Sequence, residues 1–343
     1  MRAIELVARR TLEERMVPDP PEPGPGQVVV RVRAIGICGS DMHWYLDGHI
    51  GPYQSRYPRI LGHEPAGEIV ACGPGVTGFH AGQRVAMEPA MHCGRCEYCL
   101  SGRHNVCPAT KFMGSNSANG FFVDYVTVPA TNVLAVPDSM SFSEVTLIEP
   151  LSVIVHVLEI SKFRLGDTVA ILGAGPIGML TAALAKASGA ARVWVADIVP
   201  HRLELARKMG ADVVVNRNEA SLYEAVMDET GGRGVDMAFD AAGFASTINE
   251  GMNVARPGGT FVLIGLPTEE PLHVDLNIAM DKELRLQTIK RSNHNDHAAL
   301  ELLRDGRIPA AMITHHLPLG DTPRAFAMLA RYEDGVGKLI IEP

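Results

Sequence analysis

The sequence predicts an α/β protein in two parts, a β-rich irregular region followed by a doubly wound parallel sheet with helices on both faces. Three observations carry that expectation. Short apolar runs alternate with helix-period segments from about residue 168 to 265. A glycine turn, Gly173-Ala174-Gly175-Pro176-Ile177-Gly178, sits where one such run passes into a helix. Four cysteines crowd into fifteen residues of an otherwise Gly- and Pro-punctuated N-terminal region. A chain of 343 residues is long enough for two domains of roughly 150 residues each.

The elements follow in order. Residues 28–35 form an apolar, β-branched run opened by the turn Gly24-Pro25-Gly26, a strand by type and length. After residue 150 the rhythm changes. Strands are expected at 168–172, 192–196, 212–215, 237–240 and 260–265, with helices at 176–188, 200–209 and 222–229 between them. That alternation means parallel strands joined by helical crossovers. A last strand at 337–341 returns after the α/β unit.

Composition excludes some partners. Hydrophobic residues make up 46% and charged residues 20% of the chain, and the net charge is -8. Nucleic acid and anionic membrane surfaces are poor partners for such a chain. The N-terminal MRAIELVARR lacks the basic-then-apolar layout of an export signal. The stretch 169–185 carries three glycines and a proline and is too short for a membrane span. A cytoplasmic protein with no membrane partner is expected.

In a reducing compartment, Cys93, Cys96, Cys99 and Cys107 favour metal ligation over two disulfides. With Gly94 and Gly102 freeing the backbone between them, four thiolates can close a tetrahedral Zn2+ completely, which makes a structural site.

The glycine turn has the context of a Rossmann dinucleotide site, with a strand before, a helix after, and Asp197 at the end of the next strand, twenty-two residues past Gly175. Glycines permit the tight turn and close approach to a pyrophosphate, whose charge the helix N-terminus favours. Asp197 can accept hydrogen bonds from the adenosine ribose hydroxyls and would repel a 2'-phosphate, so NAD is expected over NADP. Arg202 tempers that preference, since it could meet such a phosphate, pair with Asp197, or lie over the adenine. The cofactor-binding set is Gly173, Gly175, Pro176, Ile177, Gly178, Asp197 and Arg202, with Gly265 and Leu266 further on.

A second ligand-like group combines Cys38 with His63 and Glu64, about 25 residues later. Each has an ordinary explanation alone: a buried thiol, a core histidine, a surface charge. Glu149 lies in the apolar run Leu147-Ile148-Glu149-Pro150-Leu151, a costly place for a carboxylate without a cation or a metal-held water. Three protein ligands with one open position are the catalytic arrangement of zinc, which acidifies an alcohol and lets hydride pass to a nicotinamide.

These motifs together resemble the zinc-dependent medium-chain dehydrogenases, and within them the sorbitol (L-iditol 2-) dehydrogenase group of polyol enzymes. The resemblance spans essentially the whole chain. It rests on Gly36-Ile37-Cys38-Gly39-Ser40-Asp41, Gly62-His63-Glu64, the four-cysteine lobe, Ile148-Glu149-Pro150-Leu151-Ser152-Val153 and the glycine turn. It implies a GroES-like catalytic domain, 1–151 plus 291–343, split around a Rossmann domain at 152–290, with two Zn2+ per subunit and oxidation of a polyol or secondary alcohol by NAD. It further implies Cys38, His63 and Glu64 as catalytic zinc ligands, with Glu149 holding the metal's water or exchanging with Glu64. Ser40 and His43 match a proton relay. Trp44, Phe112, Ser115 and Arg291 fall at or near substrate-pocket positions, and Arg291 also reaches the cofactor. A homo-oligomer is implied, a tetramer rather than a dimer, with residues 262–266 or a β edge as candidate contacts between subunits.

The chain departs from the mammalian polyol enzymes at Trp44 and Ser292, where they carry tyrosines, and it keeps the lobe cysteines they lack. Rival readings are an L-threonine 3-dehydrogenase, a butanediol or sugar-acid dehydrogenase on the same frame, or a noncatalytic NAD sensor. Of the remaining chemistry-bearing residues, His156 reads as a core histidine and Cys72 as a buried free thiol. His294, His297, His315 and His316 read as surface or interface residues, because their spacing matches no familiar zinc pattern.

Overall fold

The computed structural model describes residues 1–267 and 271–343. The chain divides into two compact units, Met1–Ser152 with Ser292–Arg304 and Ile313–Pro343, and Val153–Arg291 with Asp305–Met312.

The first unit is built on a seven-stranded sheet. Its central strand, Gln27–Gly36, pairs antiparallel with Glu64–Cys72, Tyr125–Pro129 and Lys338–Glu342. Val28, Val30, Val32 and Ile35 are fully buried on it and join Phe121, Phe122, Phe326, Leu339 and Ile341 in one core. Each such side chain contributes roughly 1.5–3 kcal/mol by leaving water. The C-terminal strand thus closes the sheet that the N-terminal region begins. It runs parallel to Ile313–Pro318 and sets Ile340 opposite Gly36. Gly36 leaves room for a buried ion pair: a Cβ there would meet the Glu64 carboxylate and the Lys338 side chain and force them to shift.

The second unit holds a six-stranded, wholly parallel sheet. Across it the strands run Val213–Asn216, Arg192–Asp197, Thr168–Leu172, Val235–Asp240, Ala255–Leu263, Arg285–Thr288. Strand order reverses direction beside Thr168–Leu172, which is where doubly wound folds bind ligands, at the carboxyl ends of the strands. Val169, Ile171, Val195, Phe239 and Val262 are buried, as strands covered on both faces require.

Three expectations are corrected here. Residues 305–312 belong with the sheet-and-helix unit rather than with the β-rich one, because Ile308 and Met312 are buried and Arg307 donates to the Ala187 carbonyl (2.9 Å). Of the candidate contact 262–266, the part within Ala255–Leu263 offers no free strand edge, because that strand is flanked on both sides and the sheet's edges are Val213–Asn216 and Arg285–Thr288. Cys72 is exposed rather than buried, at the end of its strand. Among the described residues no helix is long and apolar enough to cross a membrane.

Candidate active site

Cys38 caps the helix Gly39–Leu46, and Gly62 at φ +88° turns the chain into His63 and the strand Glu64–Cys72. Asp41 ties the two loops together. Its carboxylate accepts from the backbone N–H of Cys38 (3.0 Å) and of Gly62 (3.1 Å), and it lies 3.4 Å from His63 Nδ1. Ligand atoms of Cys38, His63 and Glu64 fall within 4.8 Å of one another, a group able to hold a metal ion. A sulfur, an imidazole and a carboxylate suit a borderline divalent ion such as Zn2+. An imidazole whose Nδ1 faces a carboxylate presents Nε2 to a metal and is a stronger donor for it.

The electrostatics of this pocket favour a cation. Burial alone would drive the His63 imidazole to lose its proton, yet Asp41 and Cys38 hold its pKa well above the ordinary value. Asp41 is fully buried, which penalises its charge, but His63 and the two backbone donors keep its pKa below the usual carboxylate value. Glu64 is also buried and is paired with Lys338, whose ammonium also donates to the Ile37 carbonyl (3.0 Å). Sequence reasoning missed both partners. A lone lysine in the apolar end strand Lys338-Leu339-Ile340-Ile341 and the acid in Cys38-Gly39-Ser40-Asp41 were the available signals.

Ser40 Oγ lies 3.3 Å from His63 Nε2. His43 lies on the same helix as Ser40, with its Nδ1 3.0 Å from Asp47. The Phe112 ring centroid is 5.3 Å from that of His63. Trp44 is buried in the core with the Arg59 guanidinium 4.4 Å above its ring, so its face is taken by a cation. Ser115 donates to the Phe112 carbonyl (2.7 Å) within its own turn.

Glu149 is not grouped with the three candidate ligands. It lines a cavity of about 140 Å³ with Glu88, Asp296, His92, His294 and His297. Burial, with Glu64 and Asp296 outweighed only in part by His63 and Lys338, pushes its pKa up to about 7. Glu88 is pushed up to about 8 by burial and then by Asp296 and Glu149.

The four lobe cysteines lie within one metal-sized group, and all six cysteines of the chain are free thiols. Cys93 Sγ is 3.6 Å from Cys107 Sγ and 4.0 Å from Cys99 Sγ. Two thiolates on one tetrahedral zinc stand about 3.8 Å apart, given Zn–S near 2.3 Å. Backbone N–H groups of Arg95 and Cys96 aim at Cys93 and hold its thiol below the ordinary range.

In the second unit, Gly173 has φ +100°, and a Cβ on Gly178 would strike the Gly173 carbonyl, so neither position admits another residue without rearrangement. Pro176 opens the helix Pro176–Ala187. Asp197 accepts from the N–H of Ala174 (2.6 Å), Ile198 (2.7 Å) and Val199 (2.8 Å), which fixes its carboxylate beside the glycine turn. Ala242 and Gly243, just past the strand Val235–Asp240, pack on Gly265 and Leu266 so closely that Gly265 has no room for a Cβ. Arg202 lies on the helix Pro200–Lys208, and Arg291 is the last residue before the chain leaves this unit, at φ +54°.

Comparison with known proteins decides the family. Residues 24–138 match the alcohol dehydrogenase GroES-like domain and residues 176–305 the zinc-binding dehydrogenase family. The chain is 38% identical over 318 residues to sorbitol dehydrogenase of Bacillus subtilis, covering 92% of this chain and 90% of that one. This chain is a zinc-binding medium-chain dehydrogenase. It is also 35% identical over 337 residues to L-threonine 3-dehydrogenase of Bacillus velezensis, covering 97% of this chain and 95% of that one. An alcohol dehydrogenase (rspB) of Escherichia coli CFT073, solved with NADH, superposes with a TM-score of 0.89 at 31% identity, covering 100% of this dehydrogenase and 99% of that chain. The dehydrogenase is therefore an enzyme of the alcohol and polyol class on a GroES-like plus Rossmann frame.

Proposed function

We propose that this dehydrogenase oxidises a polyol or a related secondary alcohol to the ketone or ketose, with NAD+ as hydride acceptor. The observation that carries the reading is the convergence of Cys38, His63 and Glu64 within 4.8 Å in a chain of this family. When bound, zinc supplies a Lewis acid that lowers the pKa of the alcohol, and NAD+ accepts the hydride.

The protein's own residues do the rest. Cys38 and His63 would hold the metal with a carboxylate, Glu64 or Glu149, and Asp41 fixes the His63 ring. Ser40, on the helix that Cys38 caps, would be the first station for the substrate's proton, and His43 on the same helix, braced by Asp47, the next. Burial pushes the Glu149 pKa up to about 7, so its carboxyl could take up or give a proton near neutral pH. Phe112 supplies an apolar wall beside His63. In the second unit, Gly173, Gly175, Pro176, Ile177, Gly178, Gly265 and Leu266 would cradle the cofactor. Asp197 favours NAD over NADP, because a 2'-phosphate would meet a fixed carboxylate.

The cysteine lobe holds a second, closed zinc. The working enzyme is a cytoplasmic homotetramer. An interface is supported by the free edge Arg285–Thr288, where Leu286 is exposed, and by exposed Met280 on the neighbouring helix Leu276–Asp281.

A screen of hexitols, pentitols, threonine, butanediol and sugar acids with NAD+ and NADP+ tests this, following reduced-cofactor absorbance. The expected result is turnover of a polyol with NAD+, and loss of one zinc and of activity in Cys38→Ser with NAD+ affinity retained. Glu149→Ala is expected to lower turnover and leave NAD+ binding intact. Preference for threonine would move the chain to the amino-alcohol branch, and no turnover of any substrate would sink the enzymatic reading.

A further inference from the structure

We propose a third metal site in the first unit, formed by His92, His104 and His294, that takes a borderline divalent cation with zinc as the first candidate. The three histidines come from separate segments. His92 precedes the first lobe cysteine, His104 opens the short helical turn His104–Val106 inside the lobe, and His294 lies in the loop before the helix Asp296–Arg304.

The tertiary structure brings one nitrogen of each within 4.8 Å of the others. Ring centroids are 4.3 Å apart for His92 and His104, 4.1 Å for His104 and His294, and 5.3 Å for His92 and His294. Nitrogens sharing one tetrahedral zinc stand about 3.4 Å apart, given Zn–N near 2.0–2.1 Å, so small side-chain rotations complete the geometry. The rings meet at 58°, 81° and 85°, with no parallel stacking to explain the cluster.

A further observation points to a ligand. His104 Nδ1 is buried and has no hydrogen-bond partner, a state that costs stability unless something occupies the lone pair or takes the proton. His294 stands at φ +61°, the left-handed region that histidine enters more readily than most residues, which turns its ring toward the lobe-side histidines. The neighbouring Asn293 side chain donates to the Gly102 carbonyl (2.8 Å), which pins this loop to the lobe beside His104. Three imidazoles this close cannot all be protonated without repulsion, and one divalent ion satisfies all three at once.

An all-imidazole set with no thiolate selects Zn2+, Cu2+ or Ni2+ over Ca2+ and Mg2+. His92 and His294 line a cavity of about 140 Å³ with Glu88 and Asp296, so water or a carboxylate could supply a fourth ligand. Occupation would cross-link the cysteine lobe to the loop ahead of Asp296. The site does not depend on the proposed reaction.

The test is zinc stoichiometry on the full chain, by elemental analysis after equilibration with micromolar Zn2+ and gel filtration. The expected counts are three equivalents for the parent, two for His294→Ala, two for Cys38→Ser and one for the double variant. His104→Asn guards against a folding artefact and is expected to match His294→Ala, with thermal unfolding of both near the parent without added metal. Added Zn2+ should raise the parent's melting temperature further than that of either histidine variant. A parent that binds no more zinc than His294→Ala and His104→Asn overturns the site. A Cys38→Ser protein that loses no zinc counts against the catalytic reading alone.

Discussion

The cysteine lobe and the Cys38 group are both metal-capable, yet the chain builds them in opposite ways. The lobe takes four like ligands from fifteen consecutive residues and needs little beyond glycine turns and backbone N–H groups to aim them. The Cys38 group draws its ligands from two distant segments and is held by partners from elsewhere: Asp41 beneath the imidazole and Lys338, from the last strand, against Glu64. A local cage is closed and stabilising. A non-local pocket with unlike ligands and buried charged partners keeps a position open and can be tuned for chemistry.

Four perturbations would break or sharpen that contrast. The largest effect is expected at the lobe, where metal binding and local folding are one process. Cys96→Ser should lose one zinc and expose residues 93–107 to protease, while the second unit melts unchanged. A lobe that stays protected without its metal would show that packing, not ligation, orders it.

Next is Lys338→Met, which leaves the buried Glu64 carboxylate without its cation. It is expected to cost about 3–5 kcal/mol in chemical denaturation, and Glu64→Gln in the same chain should restore part of that. Equal stability of the single and parent proteins would mean that the pair contributes nothing.

Asp41→Asn comes third. Weakening an outer-shell carboxylate is expected to lower metal affinity or turnover by about 10- to 100-fold, read by chelator competition at the Cys38 site, with the lobe zinc retained. Equal loss from both sites would erase the distinction between them.

The smallest effect lies outside both clusters, at Asp236. Burial acts to raise its pKa, but Arg233, Arg256 and Thr168 outweigh it and hold the carboxyl well below its ordinary 3.8. A group depressed in the folded state stabilises above its unfolded pKa, and that contribution fades as pH falls through the folded one. Asp236→Asn should therefore lower stability at pH 5 and above by about 0.5–1 kcal/mol, read as a lower melting temperature, with the difference shrinking below about pH 3.8. A difference that is flat with pH would assign the effect to packing.

The lobe and the glycine turn were legible because their information is local. Four cysteines in register and a strand–Gly-x-Gly-x-x-Gly–helix need only neighbouring residues to state their purpose. The parallel sheet was legible for the same reason, through the spacing of apolar runs. Lys338 was not, because a lysine in a strand reads as an edge charge until the sheet places it over Gly36 and against Glu64. The histidine cluster was invisible, because His92 and His294 are about two hundred residues apart. Residues 305–312 went to the wrong unit because the burial of Ile308 and Met312 depends on what they pack against.

By itself, then, the sequence determined the two-part architecture, the ligand types and the dinucleotide turn, all properties of short-range pattern and residue chemistry. Only the tertiary structure decided which carboxylate meets which cation, which thiol is buried, and which histidines converge. Those outcomes depend on long-range strand pairing and on burial, where a charge or lone pair becomes costly enough to require a particular partner.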